Sequence, residues 1–518
     1  MAILALAMLW WPEYGDQSLF VLGAQELRDG AVYYRDFWDI KQPGLYWFYQ
    51  LGDLIVPGGA GARLLEIVLV IATGLAVHTM VSAWTQRRWL RFAAPTIVLG
   101  PYLNWSFLGG VGQIEGLMNL LIIAAIALTW PRPAPSSRGD VRPTTAQDPA
   151  QQPPPMRSVL AWFLAGSVVG AVVLFKTLYA PIVLIPIGAA LLMSGRPGLR
   201  VQIGRAAVLF LGAAAPVALA LAYFADHGVL GLALRTTFQL PREVAASPNL
   251  HPSSAIETVT QALKNLVPVT GPLAAIALLS AFGRRTVVRD GALAATIVLE
   301  LALTYPQLWT PYRFLMLAAP MGLLAVIGLE SVANWLAGRA ERGWWVPALG
   351  AAGTAVAVAL TLATLRLPAH LLLHAGDYDG GLNSAARMGR SDIDSNFRAA
   401  ALVADQVRPG QQIYVVGDPG VMTLLHARQG LQLTGWSLEQ MPARVWREAT
   451  RQLQTSRPAL VYVDDTTQDW TQISQQQGRP FFDYLRTQYR IISTTADGTW
   501  YQTTDTGVPL PQAGSTQL

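Results

Sequence analysis

Apolar residues in this chain fall in long runs rather than in the short alternations of a soluble fold. A helix needs about 20 apolar residues to cross roughly 30 Å of hydrocarbon. Such stretches occur at about 62–84, 89–106, 114–130, 158–175, 179–194, 205–224, 266–282, 291–305, 313–336 and 344–366. Met1 to Trp11 is apolar as well, but a helix of that length rises only about 16 Å. The expectation is a first span shortened by a misassigned start. A cleaved signal peptide fits less well, because no basic stretch precedes the apolar one. The pattern predicts an all-α polytopic membrane domain over 1–366, with about eleven transmembrane helices.

The texture changes at Ser395. That residue is placed to cap a helix running through Val407. Gln411–Val416 and Ala459–Val463 read as strands and Arg444–Gln454 as an amphipathic helix. Tyr489–Thr495 and Thr499–Thr503 flank Asp497-Gly498, a hairpin turn signal. The expectation is a linker over 367–394, a small soluble α/β domain over 395–505 and a flexible tail over 506–518. Between Trp130 and Met156 the chain carries eight prolines among Ser, Thr, Gln and Asp. With so little apolar surface to bury, 131–157 reads as a disordered loop.

Charge decides orientation. Arginines cluster at 87, 88 and 91, at 132, 138, 142 and 157, at 196, 200 and 205, at 284, 285 and 289, and at 339 and 342. These connections alternate with the others, so they share one side of the bilayer, and the positive-inside rule makes that side cytoplasmic. Residues 12–61, 105–113, 176–178, 225–265, 306–312 and everything beyond about 367 are then outside, and the C-terminal domain is extracytoplasmic. The composition agrees: 52% of residues are hydrophobic and 13% charged, against about 25% charge in soluble domains. The net charge of +5 sits in those short clusters, which argues for orientation in a membrane and against nucleic acid. Cysteine is absent, so disulfides and thiolate metal sites are excluded. The six histidines show no metal-ligand spacing, although carboxylates could still hold Mg²⁺ or Mn²⁺.

The first outer loop is rich in chemistry. Leu19 to Leu27 has helical apolar spacing and reads as an interfacial helix. Tyr33, Tyr34, Phe37, Trp38, Tyr46, Trp47 and Phe48 suit the headgroup layer. Asp16, Asp36, Asp39 and Lys41 are costly beside apolar belts unless paired or used.

The pattern Gly15-Asp16-Gln17, Ala24-x-Glu26-Leu27-x-x-Gly30, Tyr34-x-Asp36-Phe37-Trp38-Asp39-x-Lys41-x-Pro43-Gly44 resembles the first outer loop of the GT-C glycosyltransferases. Within them it resembles bacterial relatives of the protein O-mannosyltransferases and lipid A aminoarabinose transferases. The resemblance implies a multi-pass enzyme of the cell membrane that takes a sugar from a polyprenyl-phosphate carrier. It passes that sugar to a glycan, lipid or protein acceptor outside the cytoplasm. It also implies that Asp16 is the catalytic acid of the first loop, with Gln17 standing where a second acid is usual. Glu115 falls where relatives carry a further acid, which implies a second catalytic residue that assists Asp16 or binds metal, and it also fits as a carboxylate favoured by a helix N-terminus. Lys176 matches a lysine of the family, and it also fits as a side chain snorkelling to the interface. Tyr312 and Arg313 fall at an aromatic and basic patch that relatives use for the carrier. Asp36, Asp39 and Lys41 are grouped with these as substrate- or phosphate-binding. The physical demands agree, since glycosyl transfer needs a base for the acceptor hydroxyl and cations for the leaving phosphate. Arg235 and Arg242 are further cations expected outside. A transporter or lipid flippase is the alternative, but it calls for polar groups along a central path and repeated halves. Glu66, Glu300, Glu330 and His78 lie within spans and are left out of the site, while Asp418, Asp464 and Asp465 follow strands and read as turn residues.

Overall fold

The computed structural model describes residues 5–10, 13, 15–85, 87–103, 112–130, 156–193, 198–245, 260, 275–276, 278, 287–304, 311–337, 378–379, 382–383, 391–436, 438–466 and 470–504. The expected span 344–366, most of the expected span 266–282, the loop 131–155, most of the linker 367–394 and the tail 506–518 lie outside them. In chain order the helices used below are α1 (Asp16–Arg28), α2 (Pro43–Ile55), α3 (Gly59–Trp84), α4 (Arg88–Leu99), α5 (Ile114–Thr129), α6 (Met156–Lys176), α7 (Ala180–Met193), α8 (Leu199–Asp226), α9 (Leu230–Phe238), α10 (Leu240–Ala245), α11 (Val287–Thr304), α12 (Ala318–Ala337), α13 (Ser391–Ala401), α14 (Gly420–Leu424) and α15 (Ala443–Ser456). The strands are β1 (Gln412–Val416), β2 (Arg428–Gln429), β3 (Leu460–Asp464), β4 (Tyr489–Thr495) and β5 (Gly498–Thr503).

The chain forms two compact units. The first comprises Met1–Trp11, Arg63–Tyr223 and Pro252–Gly376. Long apolar helices α3, α8 and Arg313–Trp335 are each sufficient in length and hydropathy to cross a membrane, as is the run Val159–Met193. That run is broken at Lys176, whose extended backbone (φ −164°, ψ 97°) ends α6 before a short 3-10 turn opens α7. Lys176 and Tyr179 meet Glu115 at the start of α5, whereas Trp130 just past its end donates to the Pro186 carbonyl within α7. So α7 runs alongside α5 in the same direction, and 158–175 and 179–194 form two separate helices rather than one. Small residues set the closest helix approach. A Cβ at Gly166 or Gly170 would fall 2.0 Å from Leu209 O or 2.4 Å from Ala213 O in α8, the tight backbone packing that small-xxx-small spacing allows without a hydrophobic drive.

The second unit comprises Pro12–Ala62, Phe224–His251 and Asp377–Leu518. Its five-stranded sheet has the order β2-β1-β3-β5-β4. The strands β2, β1 and β3 are parallel, with Tyr414 opposite Val461. The β4–β5 hairpin joins antiparallel, with Tyr462 opposite Trp500. All five β3 residues are buried, as expected of a strand covered on both faces. Helix α15 turns Val445, Trp446, Ala449 and Leu453 inward, and Trp446 packs edge-on against Trp470 and Phe481. Strands β1, β3, β4 and β5, helix α15 and the Asp497-Gly498 turn fall where the pattern placed them, whereas the two-residue β2 had no signal there. The helix expected from Ser395 instead spans Ser391–Ala401. Ser395 is buried inside it with its hydroxyl near Thr466 Oγ1, so it caps nothing.

Residues 15–62 belong to this unit, which corrects two expectations. Helix α1 exists, but Gln17 through Ala24 are all buried, so it does not lie half-exposed along an interface. It packs on α2 and α14. Tyr33, Tyr34, Phe37, Trp38 and Tyr46 are likewise buried, and the rings of Tyr33, Tyr34, Phe37 and Tyr46 pack on one another. They form core rather than a headgroup belt, because the C-terminal chain covers them. Trp38 N donates to Gln432 O (2.8 Å), Thr434 N to Trp38 O (3.1 Å) and Gln432 Nε2 to Tyr34 O (2.7 Å).

Candidate active site

In the second unit the first-loop acids converge on Lys41. Helix α1 begins at Asp16, an acid in the first turn, where the peptide dipoles favour it. Gly15 before it has φ 55° and ψ −121°, a conformation suited only to glycine. Lys41 Nζ lies 2.8 Å from Asp16 Oδ1 and 3.5 Å from Asp39 Oδ2. Asp39 is only 1% exposed, and Tyr46 Oη donates to its Oδ2 at 2.8 Å. The Lys41 carbonyl accepts from Tyr33 and Tyr34 hydroxyls at 2.7 and 3.2 Å, which fixes the turn that carries the lysine. Burial holds the phenols of Tyr33 and Tyr46 neutral, well above their ordinary range. Asp36 is exposed and engaged in its own turn, accepting from Val32 N (2.8 Å) and Arg35. The Arg35 hydrogen bond holds its carboxyl below the usual carboxylate range.

Three residues at this site came from the C-terminal domain, where sequence patterns gave no sign of them. Trp436 Nε1 donates to Asp16 Oδ1 at 2.5 Å. Asp418, 2% exposed, accepts from Gly15 N with both oxygens at 3.0 Å. Burial, opposed by hydrogen bonds from Gly420, Asn396 and Gly15, pushes its carboxyl up to about 6. Glu439 is raised by desolvation too, with the Lys41 charge acting against the rise and the Asp16 charge adding to it. The reading of Asp418 as a turn residue holds locally, since it accepts from Gly420 N at 2.8 Å, but it leaves out the longer reach to Gly15.

The first unit has its own charged cluster. Glu115, 2% exposed, sits in the first turn of α5. Lys176 Nζ is 3.0 Å and Tyr179 Oη 3.1 Å from its Oε1, and Lys176 lies over the Tyr179 ring at 4.3 Å. Lys176 is thus paired rather than simply snorkelling. One turn on, Asn119 Nδ2 donates to Leu315 O (2.6 Å) and its Oδ1 accepts from Ala319 N (2.8 Å). This pins the short helical turn Pro311–Leu317 against α5, and Arg313 on that turn is the second cation whose charge reaches Glu115. The side chain of Tyr312 lies outside the described residues. Glu66 accepts from Tyr102 Oη, from Gly112 N (2.7 Å) and from Arg63 Nη1 (3.4 Å). It therefore tethers the turn that starts α5, a structural task consistent with leaving it out of the site. Elsewhere in this unit Leu184, Ile185, Gly188 and Leu192 of α7, with Val288 and Ala292 of α11, line an open apolar groove of about 570 Å³. Arg235 and Arg242 are exposed. Among the described residues no three His, Asp or Glu converge as metal ligands.

No family model matches the chain, and no curated protein does. Solved structures do. The crystal structure of ArnT from Cupriavidus metallidurans bound to undecaprenyl phosphate aligns over 96% of this chain and 95% of that one, with a TM-score of 0.55 and 14% identity. The same protein in the apo state aligns over the same shares with a TM-score of 0.54. The chain has the ArnT fold. The resemblance read from the first loop, to the GT-C glycosyltransferases and their lipid A aminoarabinose transferases, is therefore met at the level of fold.

Proposed function

We propose that the chain is a GT-C-type membrane glycosyltransferase that moves a sugar from a polyprenyl-phosphate carrier to a hydroxyl acceptor on the extracytoplasmic side. The observation that carries this reading is the Asp16–Lys41–Asp39 cluster, built from the loop whose pattern resembles those enzymes, in a chain with the fold of a protein crystallised with undecaprenyl phosphate. Asp16 is the general base. The acceptor oxygen attacks the anomeric carbon, the bond from that carbon to the phosphate oxygen breaks with its electron pair going to the phosphate, and the hydroxyl proton passes to Asp16. A correctly placed base of this kind contributes about 10²–10⁴-fold. Lys41 keeps the Asp16 carboxylate ionised and adds positive charge for the departing phosphate. In the first unit, Lys176, paired with Glu115, and Arg313, on the turn that Asn119 pins, are cations of the kind that bind phosphate, and the apolar groove on α7 and α11 is of the kind that takes a polyprenyl chain. Among the described residues, apolar segments long enough to cross a bilayer support a membrane setting, and the arginine clusters support an extracytoplasmic site.

Purified protein in lipid nanodiscs, offered a panel of polyprenyl-phosphate sugars with hydroxyl acceptors, is expected to release polyprenyl phosphate. Asp16→Asn is expected to lower that rate by about 10³-fold with an unchanged melting profile. Full activity in Asp16→Asn would remove the base assignment. Lipid flux in proteoliposomes with no sugar transfer anywhere in the panel would overturn the transferase reading.

A further inference from the structure

The C-terminal domain grips the peptide that carries Asp16 from both ends. Trp436 and Lys41 bond the same oxygen of Asp16, at 2.5 and 2.8 Å. Asp418 takes Gly15 N with both of its oxygens and is itself anchored in the sheet, its own N–H donating to Asp464 Oδ2 at 3.1 Å. The Trp436 ring also closes over Gly15, where a Cβ would come within 3.2 Å of two ring carbons. Two other tryptophans of the domain spend their indole N–H on backbone: Trp470 donates to Asp464 O and Trp500 to Ala399 O. Trp436 instead donates to a carboxylate some four hundred positions away in the chain. Asp16 already has an ammonium partner, so a second donor fixes its rotamer and stabilises its anionic form beyond what solvating the charge requires.

We propose that the C-terminal α/β domain is a working part of the Asp16 site, in which Trp436 orients the carboxylate and Asp418 fixes the backbone at Gly15, both as positioning residues. The proposal rests on the reading of Asp16 as the base. Among the described residues, the groups that face Asp16 include Lys41, Asp39 through Lys41, Glu439 on the turn Leu438–Gln440, Tyr46 on α2, and Asp418 beyond Gly15. Trp436→Phe leaves all of them in place and removes only the indole donor.

The test uses the full-length protein with an undecaprenyl-phosphate-linked sugar donor, following kcat/KM against pH. With Trp436→Phe the acid limb is expected to move up by about one pH unit, since one hydrogen bond to the anion is lost, while KM for the donor stays within about twofold. Asp418→Asn is expected to lower kcat about tenfold with KM unmoved, because misplacing a reacting group costs turnover rather than binding. A second measurement needs no turnover. In ¹⁵N-tryptophan-labelled protein, the indole signal that vanishes in Trp436→Phe is expected to titrate with the acid limb, and to stop titrating in Asp16→Asn. An acid limb that stays in place in Trp436→Phe, together with an indole signal indifferent to Asp16→Asn, would overturn the proposal while leaving the base assignment standing. Undiminished turnover in Asp16→Asn would fell the base assignment itself, and with it the catalytic part of this proposal.

Discussion

The two charged clusters look alike on paper, each a lysine paired with a buried carboxylate, but they are built in different ways. Glu115 and Lys176 sit at ends of apolar helices, and the break at Lys176 brings the second to the first. Asp16 opens α1, and Asp39 and Lys41 lie in the turn before α2. The C-terminal part of the same unit closes on them, with Trp436 on Asp16 and Asp418 on Gly15. The difference teaches that two packed helix ends can present a charged pair between them, whereas the charge-dense first loop takes its cover from a distant part of the chain.

The sharpest way to break the comparison is to remove each lysine. Lys41→Ala strands Asp16 and the almost fully buried Asp39, and unpairing buried charge costs about 3–5 kcal/mol. The melting transition of the second unit is expected to fall accordingly. Lys176→Ala leaves Glu115 with the Tyr179 hydroxyl and the helix N-terminus, so its cost is expected to be about half as large. Equal losses in calorimetry or chemical denaturation would erase the distinction.

A pH series sharpens it next. Burial raises the Asp418 carboxyl to about 6, so between its unfolded value near 4 and 6 the folded protein holds a proton that the unfolded chain has given up. Stability from this group is therefore present below about pH 4 and lost as pH rises through 6. Relative to Asp418→Asn, which cannot titrate, the wild type is expected to lose up to about 3 kcal/mol across that window. A difference that is flat with pH would show that Asp418 is not buried as described.

The smallest effect is expected in the first unit, at Asn119→Leu. It leaves the Leu315 carbonyl and Ala319 N–H without their partner, worth about 2 kcal/mol, and frees the turn bearing Arg313. Carrier binding is expected to weaken while stability falls only modestly. Unchanged binding would detach Arg313 from that role.

Much of this was legible in advance. The apolar helices α3, α5, α6, α7 and α8, the strands β1, β3, β4 and β5, and helix α15 follow from hydrophobic period and turn residues, both local properties. The pairing of Lys41 with the first-loop acids was implicit in the cost of leaving such charges beside apolar belts. The fate of the aromatics was not. Tyr33 or Tyr46 looks the same to a local pattern whether lipid headgroups or protein will cover it, and only the C-terminal chain decided that they became core. Ser395 was misread for a related reason, because a capping serine and one buried against Thr466 have identical neighbours in sequence.

The sequence by itself determined which segments are apolar enough to leave water, which loops carry the positive charge, and which acids and lysines are too costly to be idle. Those are sums over neighbouring residues. Tertiary structure alone decided that Trp436 and Asp418 stand at Asp16 and that Asn119 holds the turn of Arg313. Hydrogen bonds act over about 3 Å between residues far apart in the chain, and no local period encodes that approach.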